Sequence, residues 1–548
     1  MDGCTRRPGL PAVQPPRAIC APAACQWRSK VRSRGYLGKD SRGGNMTTYP
    51  SEARTHNQTS IPFALSEEQL RQFLAQGFLR LQSSLSPDYH QRIFAALHAA
   101  QTSTGHFGNN LLPLIPELHE FLSDAAVTAP LTSVLGDAYV LHPHRALHAN
   151  PSGSEEQTFH KDSYWGYTRR VRNHRPWWVM LMYFPQGTPV AMGPTGALEG
   201  SQYGLQPPNG TYQPFAEDGD AGSFLLIHYD IWHRKMLNTT DSHRYMLKFQ
   251  FTRLLPPMPT KQCDTASVRP WRRPRQRPAV DLNAVWHSQW NWLHGQKEPL
   301  RIDAQATPAN LFVKLAHEEE TVGLSAAYQL GEIARVKGRN VSNDALHHLL
   351  NGLGSNPEPN DNTKRYADDG KRWRDDVIAR HCAHALVQVG ELALSGLCEA
   401  VAASNPRGRK HAAFALGEIG SSKAHPALSQ ALQDEDVHVR IAAAEALGLS
   451  GPTRKSVEAL IDALQDTESE VRFSAALSLV RLAAWRKKRL IKPAVAPLAA
   501  ALTDSNRYVS AYAAQALEII GTQEALSALV PHLSASRWCG QTNNQRPF

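Results

Sequence analysis

Residues 222–253 read GSFLLIHYDIWHRKMLNTTDSHRYMLKFQFTR. Two apolar, β-prone runs, ending at His233 and starting at Arg244, flank the turn-prone LNTT of 237–240. Taken as an antiparallel hairpin, the stretch sets His233 roughly opposite Arg244, within about 5–6 Å at Cα. Side chains alternate along a strand. His228 therefore faces away from His233, and His243 faces away from Arg244. Parity selects one imidazole and one guanidinium, and only a bulge would upset the choice.

Upstream, Thr158–Tyr167 reads TFHKDSYWGY. In a strand, His160 and Asp162 leave the same face. That spacing also describes a surface strand with two solvated polar residues. With His233 added, the set gains a chemistry. Two imidazoles and one carboxylate can occupy one face of an octahedral Fe(II), leaving three positions open. Bidentate 2-oxoglutarate fills two of these and dioxygen the third. The far carboxylate of 2-oxoglutarate then needs a cation, and Arg offers a planar two-bond fork that stays charged. An H-x-D pair, a distal His and an Arg eleven residues after it are together much rarer than any one alone.

The surroundings are β-rich. AYVLHPHRALHAN at 138–150 and WWVMLMYFP at 177–185 are further short strands, at a spacing that predicts a barrel or sandwich. Before them, LSEEQLRQFLAQGFLRLQ at 65–82 predicts a helix capped at Ser66 and ended by Gly77, and PDYHQRIFAALHAAQ at 87–101 predicts a second.

From Leu65 to Leu255 the chain resembles the phytanoyl-CoA dioxygenase family of Fe(II)- and 2-oxoglutarate-dependent oxygenases. The matching residues are FLAQGF at 73–78, His160 and Asp162, MGPT at 192–195, and Trp232, His233, Asn238 and Arg244. The resemblance implies a double-stranded β-helix, a jelly-roll barrel with iron at its mouth. It implies that His160, Asp162 and His233 bind iron and that Arg244 anchors 2-oxoglutarate as co-substrate, with ascorbate as a supporting reductant. No catalytic residue beyond the iron ligands is implied. Thr195 either bonds the co-substrate or caps its loop. Tyr164, which shares the parity of His160, and the adjacent Trp165 fall to the substrate pocket. Trp177, Trp178 and Trp232 read as packing. The chain departs from the family at 199–202, where EGSQ replaces Pro-Gly-Ser-His, so any pocket contact made by that His is lost. Related halogenases lack the carboxylate, and the retained Asp162 favours hydroxylation.

From Pro308 the texture turns to Ala and Leu and repeats itself. SAAYQLGEI, HCAHALVQVG, KHAAFALGEIG, IAAAEALGLSG, FSAALSLVRL and YAAQALEIIG are copies of one phrase, centred on Leu330, Leu386, Leu416, Leu447, Leu479 and Leu517. The middle copies recur every ~30 residues, as stacked helix pairs do. Residues 308–535 resemble short HEAT-like repeats of the kind also found in bilin-lyase proteins, an all-α solenoid. Asp434, Asp466 and Asp504 are expected to cap the helices that follow them. A polar insertion, SNPEPNDNTKRYADDGKRW, interrupts the array at 355–373.

Composition bounds the rest. The formal charge is +10, and residues 1–45 hold nine Lys/Arg against two acidic residues. That segment and RPWRRPRQRP at 269–278 carry no groove-reading motif, so no specific nucleic acid is implied. No apolar run reaches the ~20 residues of a membrane span. Seven scattered cysteines, with no CxxC pair, indicate a reducing, cytoplasmic setting. Residues 1–45 read either as an organelle-targeting segment or as sequence ahead of a start at Met46, the reading preferred here.

The expected organisation is a basic N-terminal segment (1–60), an oxygenase domain (61–258), a Trp- and Pro-rich linker (259–307), the repeats (308–535) and a tail (536–548). Trp286, Trp290 and Trp292 suggest that the linker packs rather than swings free. The expected function is hydroxylation of a small organic or acyl substrate by the barrel, with the repeats bracing it or binding a protein partner. The competing reading is a non-catalytic scaffold with a degenerate oxygenase barrel.

Overall fold

The computed structural model describes residues 62–105, 107–162, 171–205, 213–216, 218–257, 270–276, 278, 280–336, 339–354, 377–403 and 405–535. They fall within one compact unit. The expected substrate-pocket residues Tyr164 and Trp165, the polar insertion and the 1–45 segment lie outside them.

Among the described residues, seven strands form two antiparallel sheets. β1 (Phe78–Gln82), β2 (Tyr139–Asn150), β3 (Trp178–Tyr183), β5 (Ser223–His228) and β7 (Arg244–Arg253) make a five-stranded sheet in the order β1-β5-β3-β7-β2. β4 (Thr195–Ala197) and β6 (His233–Lys235) make a two-stranded sheet. Isolated bridges at His160–His233, Thr188–Gly219 and Ala197–Phe215 extend the smaller sheet's surroundings.

The large sheet is buried on both faces, so β3 and β5 read as continuous apolar runs. One face, with Leu181, Tyr183, Leu226, Leu247 and Phe249, packs on the helices Glu67–Gln76, Pro87–Thr104 and Ala125–Leu135. The first of these starts at a Ser66 capping box and ends at Gly77, in the left-handed region at φ 91°. The other face holds Trp178, Met180, Met182, Leu225 and Met246. On β7, alternation adds Arg244, Lys248, Gln250 and Thr252 to that second face, and all four are buried. This polar stripe inside an apolar sheet is the floor of the candidate site.

The expected hairpin across 237–240 does not form. β6 pairs with β4, setting His233 against Ala197, whereas β7 pairs with β3 and β2, setting Arg244 against Asn150. The LNTT segment instead crosses between the sheets, and Asn238 fixes the crossing. Its Nδ2 donates to the carbonyls of Asn150, Pro151 and Ser242 at 2.9–3.0 Å, and its Oδ1 accepts from the Thr240 backbone. A side chain so saturated supplies the turn that local hairpin chemistry would have supplied.

In the C-terminal half, the six copies of the repeated phrase lie on the helices Glu320–Val336, Val377–Val389, Pro406–Ile419, Val437–Gly448, Ser469–Ala484 and Arg507–Ile520, which stack in succession as an inner layer. Asp434, Asp466 and Asp504 are not the N-caps expected of them. The caps fall two residues later, at Asp436, Glu468 and Asn506. Each Asp instead takes both arms of an Arg from the preceding inner helix: Arg409–Asp434 at 2.7 and 2.8 Å, Arg440–Asp466 at 2.9 and 3.2 Å, and Arg472–Asp504 at 2.7 and 3.1 Å. The same carboxylates also accept the backbone N–H of the residue two positions on, at 2.7–2.9 Å, so each Asp ties two units together and still holds the turn before the helix.

The helix Asn283–Leu293 lies between the two halves. Trp290 joins the core beneath the large sheet, Trp286 packs with Leu324 and Tyr328 of the first inner helix, and Trp292 meets Trp177 at 5.2 Å. The repeats also touch the β-rich half directly. His174 and His384 stack at 3.5 Å with rings 5° from parallel, and Arg175 pairs with Glu418 at 3.2 Å. No helix among the described residues is long and apolar enough to cross a membrane.

Candidate metal centre

His160, Asp162 and His233 converge. One ligand-capable atom from each lies within 4.8 Å of the others, and this is the one such cluster among the described residues. The backbone brings the histidines together: His160 and His233 exchange N–H···O bonds of 3.0 Å, and their rings sit 4.6 Å apart. Each ring is then oriented from behind. Nδ1 of His160 lies 3.1 Å from the Thr158 carbonyl, and Nδ1 of His233 lies 3.1 Å from the Ile231 carbonyl. A carbonyl only accepts, so both Nδ1 atoms carry the proton and both Nε2 atoms present a lone pair. Metal-ligating histidines are held in this way.

Asp162 completes the group. Its Oδ1 is 3.8 Å from His233 Nε2, and its Oδ2 accepts from Lys248 Nζ at 2.7 Å. Burial alone would push the Asp162 carboxyl up. Lys248 and the two imidazoles overcome this and hold it well below the usual carboxylate range. Burial pushes His233 down to about 4, so its imidazole is neutral at physiological pH. Ligand atoms that share one face of an octahedron with bonds of ~2.1 Å stand about 3 Å apart, so the three side chains, within 4.8 Å of one another, would close in on an ion. The residues fit a two-histidine, one-carboxylate metal site.

Arg244 lies deeper on the same strand face as Lys248 and is 1% exposed. Its Nε and Nη2 donate to the Gly193 carbonyl at 3.1 and 3.0 Å, its Nη1 to the His148 carbonyl at 3.4 Å, and its guanidinium lies 5.8 Å from the Phe184 ring. Burial pushes it down to about 9. Among the described residues no carboxylate pairs with it. Position 193 admits only glycine: at φ 70°, a Cβ there would fall 2.4 Å from the Met236 carbonyl oxygen and 2.5 Å from Asn150 Nδ2. Thr195 is buried in β4 opposite Lys235 and lines a small cavity with Phe184, Phe215 and Arg80, so it shares the Phe184 ring with Arg244.

The spacing argument brought His160, Asp162 and His233 to one place and excluded His228, at the end of β5, and His243, which is exposed. It misplaced the backbone partner of Arg244. It overlooked Lys248, although a Lys four residues after Arg244 in an otherwise apolar strand signals an inward charge. It overlooked His148, whose buried Nε2 has no hydrogen-bond partner among the described residues. At the departure 199–202, Gln202 donates to the Leu74 carbonyl at 3.0 Å beside Gly77. It serves the end of the first helix rather than the metal cluster.

The family described as HEAT repeats matches residues 394–480. No curated protein matches the chain. Among solved structures it is similar to EctD from S. alaskensis with 2-oxoglutarate and 5-hydroxyectoine (16% identity, 41% of this chain and 89% of that one, TM-score 0.32). It is also similar to HygX from Streptomyces hygroscopicus with nickel and 2-oxoglutarate bound (15% identity, 40% and 96%, TM-score 0.30). A third is a non-heme monooxygenase, the ThoJ–Ni complex (16% identity, 38% and 89%, TM-score 0.28).

Proposed function

We propose that the chain is an Fe(II)- and 2-oxoglutarate-dependent dioxygenase of the phytanoyl-CoA dioxygenase type, with a jelly-roll barrel over residues 61–258, a linker to 307 and a HEAT-repeat scaffold over 308–535, hydroxylating a small organic or acyl substrate. The observation that carries the reading is the cluster of His160, Asp162 and His233 together with a buried Arg244 that has no carboxylate partner among the described residues. Bound at that cluster, iron with 2-oxoglutarate supplies the oxidation of a C–H bond by dioxygen, with succinate and carbon dioxide as co-products. His160, Asp162 and His233 hold the ion, their protonation fixed by Thr158 O, Ile231 O and Lys248. Arg244 binds the distal carboxylate of 2-oxoglutarate and orients its keto acid end toward the ion. Thr195 and Phe184 line that end. Tyr164 and Trp165 are assigned to the substrate side. The buried apolar face of Trp178, Met180 and Met182 excludes water.

One observation favours a second reading. Lys248 already neutralises Asp162, as a barrel that has given up its metal would require. Purified protein supplied with Fe(II) and 2-oxoglutarate separates the two. The oxygenase reading predicts slow succinate release without added substrate, lost in Asp162→Ala. Equal turnover by Asp162→Ala, or none by the wild type, would contradict it.

A further inference from the structure

One loop, Leu198–Leu205, holds both segments that carry the candidate ligands. Lys161 stands between His160 and Asp162 and is 6% exposed. Its Nζ donates to the Ser201 carbonyl at 3.2 Å and the Gly204 carbonyl at 2.5 Å. Trp232, the residue before His233, donates its N–H to Ser201 Oγ at 2.9 Å, and its carbonyl accepts from the Leu198 N–H at 2.9 Å. Ser201 therefore meets one ligand segment with its carbonyl and the other with its hydroxyl. The middle of the loop is tied to the first helix, where Gln202 and the Tyr203 hydroxyl both donate to the Leu74 carbonyl, at 3.0 and 2.7 Å. Its end is tied to the repeats. Arg380, 1% exposed on the helix Val377–Val389, donates through Nη1 to the Tyr203 carbonyl at 3.2 Å. Glu320, which opens the helix Glu320–Val336, accepts the Leu205 N–H on both oxygens at 2.9 Å and pairs with Arg380. The Gly204 carbonyl and the Leu205 N–H belong to one planar peptide and point in opposite directions. Lys161 and Glu320 thus grip the two edges of the same plane, and the bond on one edge aims the other.

We propose that Glu320 and Arg380, on the first two inner repeat helices, are positioning residues of the candidate metal site: they aim the Gly204 carbonyl at Lys161 and so hold the segment that carries His160 and Asp162. The proposal rests on the metal reading above. It makes the repeats more than a scaffold, because every step from Glu320 to the ligand segment is a hydrogen bond or a peptide plane.

The test uses the full chain with Ni(II) as a redox-inert probe, titrated calorimetrically, then 2-oxoglutarate titrated into the Ni(II)-loaded protein. Groups that orient a ligand from behind typically carry about 10- to 100-fold in metal affinity, and Lys161→Met should fall in that range. Glu320→Leu/Arg380→Met removes both repeat-side bonds and the charge pair together. Acting one bond further out, it should weaken Ni(II) binding about three- to tenfold. Glu320→Gln/Arg380→Met keeps an acceptor for the Leu205 N–H and should recover part of that loss. Adding Glu320→Leu/Arg380→Met to Lys161→Met should cost nothing more, because the repeat pair acts through Lys161. The 2-oxoglutarate affinity of the loaded protein should hold within about twofold, since Arg244 bonds to Gly193 and His148, outside the loop. Arg380→Met alone should weaken Ni(II) binding in the same direction, and it decides the matter if the Leu pair does not fold. Wild-type Ni(II) affinity in Lys161→Met or in the repeat-side variants, whatever their melting temperatures, would reduce the contacts to a brace and overturn the proposal. So would losses that multiply in the combined variant. A wild-type chain that binds no Ni(II) overturns the metal reading itself, and this proposal with it.

Discussion

Arg244 is the residue whose surroundings make least sense without a ligand. A guanidinium buried beside two carbonyls has hydrogen bonds but no counter-charge among the described residues. If 2-oxoglutarate supplies that charge, Arg244→Ala leaves the co-substrate's distal carboxylate unpaired, a loss of about 3–5 kcal/mol. Half-saturation by 2-oxoglutarate should then rise by about two orders of magnitude or more. Metal affinity should change little, and Arg244→Lys should recover only part of the loss. An unchanged 2-oxoglutarate requirement in Arg244→Ala would remove the assignment. If Asp162 binds a metal as well as pairing with Lys248, Asp162→Ala should show two losses. Metal binding goes, and the buried Lys248 ammonium is left without its partner, which should cost about 3–5 kcal/mol of unfolding free energy even in metal-free protein. Denaturant melts of the metal-free variant read this, and Asp162→Ala/Lys248→Met should recover stability but not metal binding. The convergence of His160, Asp162 and His233 was legible because H-x-D and a distal His are a chemical pattern that does not depend on one strand pairing. Lys248 and His148 were not singled out, because a lone Lys or His carries no pattern until the sheet shows which face it takes.

Single elements were easier to read than the connections between them. The strands β3, β5 and β7 are visible as β-prone apolar runs. Their pairing is not, since an apolar strand buried on both faces accepts several neighbours, and the turn-like LNTT proved to be a crossing held by Asn238. In the repeats the recurring phrase revealed the helices, and the structure explains its glycine. Gly331, Gly417 and Gly448 each stand where the next inner helix comes closest. A Cβ there would lie 2.5 Å from the Ala385 carbonyl oxygen, 2.6 Å from Ala446 Cα and 2.4 Å from Ser478 Oγ. Gly417→Ala would gain about 1 kcal/mol of helix propensity, but it forces two backbones apart, and overpacking costs about 1–3 kcal/mol. The variant should therefore be less stable than wild type, and Gly417→Val clearly more so. Thermal melts that placed Gly417→Ala above wild type would show that the helices can slide apart without loss. The acidic residues of the repeats were misread as caps because sequence shows the Asp before a helix but not the Arg arriving from the previous unit.

At the scale of the whole molecule, the two halves share a buried histidine-rich interface. His174 and His384 stack there, with His381, His411, Arg175 and Arg380 around them. Burial pushes His381 and His411 down to about 3 and holds His174 and His384 well below their ordinary value. In the unfolded chain these groups take up protons near pH 6.5, whereas in the folded chain they do not. Stability is therefore full above about pH 7 and is lost as the pH falls below 6.5, by on the order of 2 kcal/mol at pH 5 for each of His381 and His411. Urea melts at pH 7.5, 6.5 and 5.5 should show this slope, and a flat profile would mean that the interface opens to let the rings ionise. The central claim, that His160, Asp162 and His233 form one metal site that recruits 2-oxoglutarate, is tested most directly by calorimetric titration of Ni(II) and then 2-oxoglutarate into the full chain. The account predicts one Ni(II) per chain, 2-oxoglutarate binding only after the metal, and neither in Asp162→Ala. No metal uptake by the wild type, or the same uptake by Asp162→Ala, would contradict it.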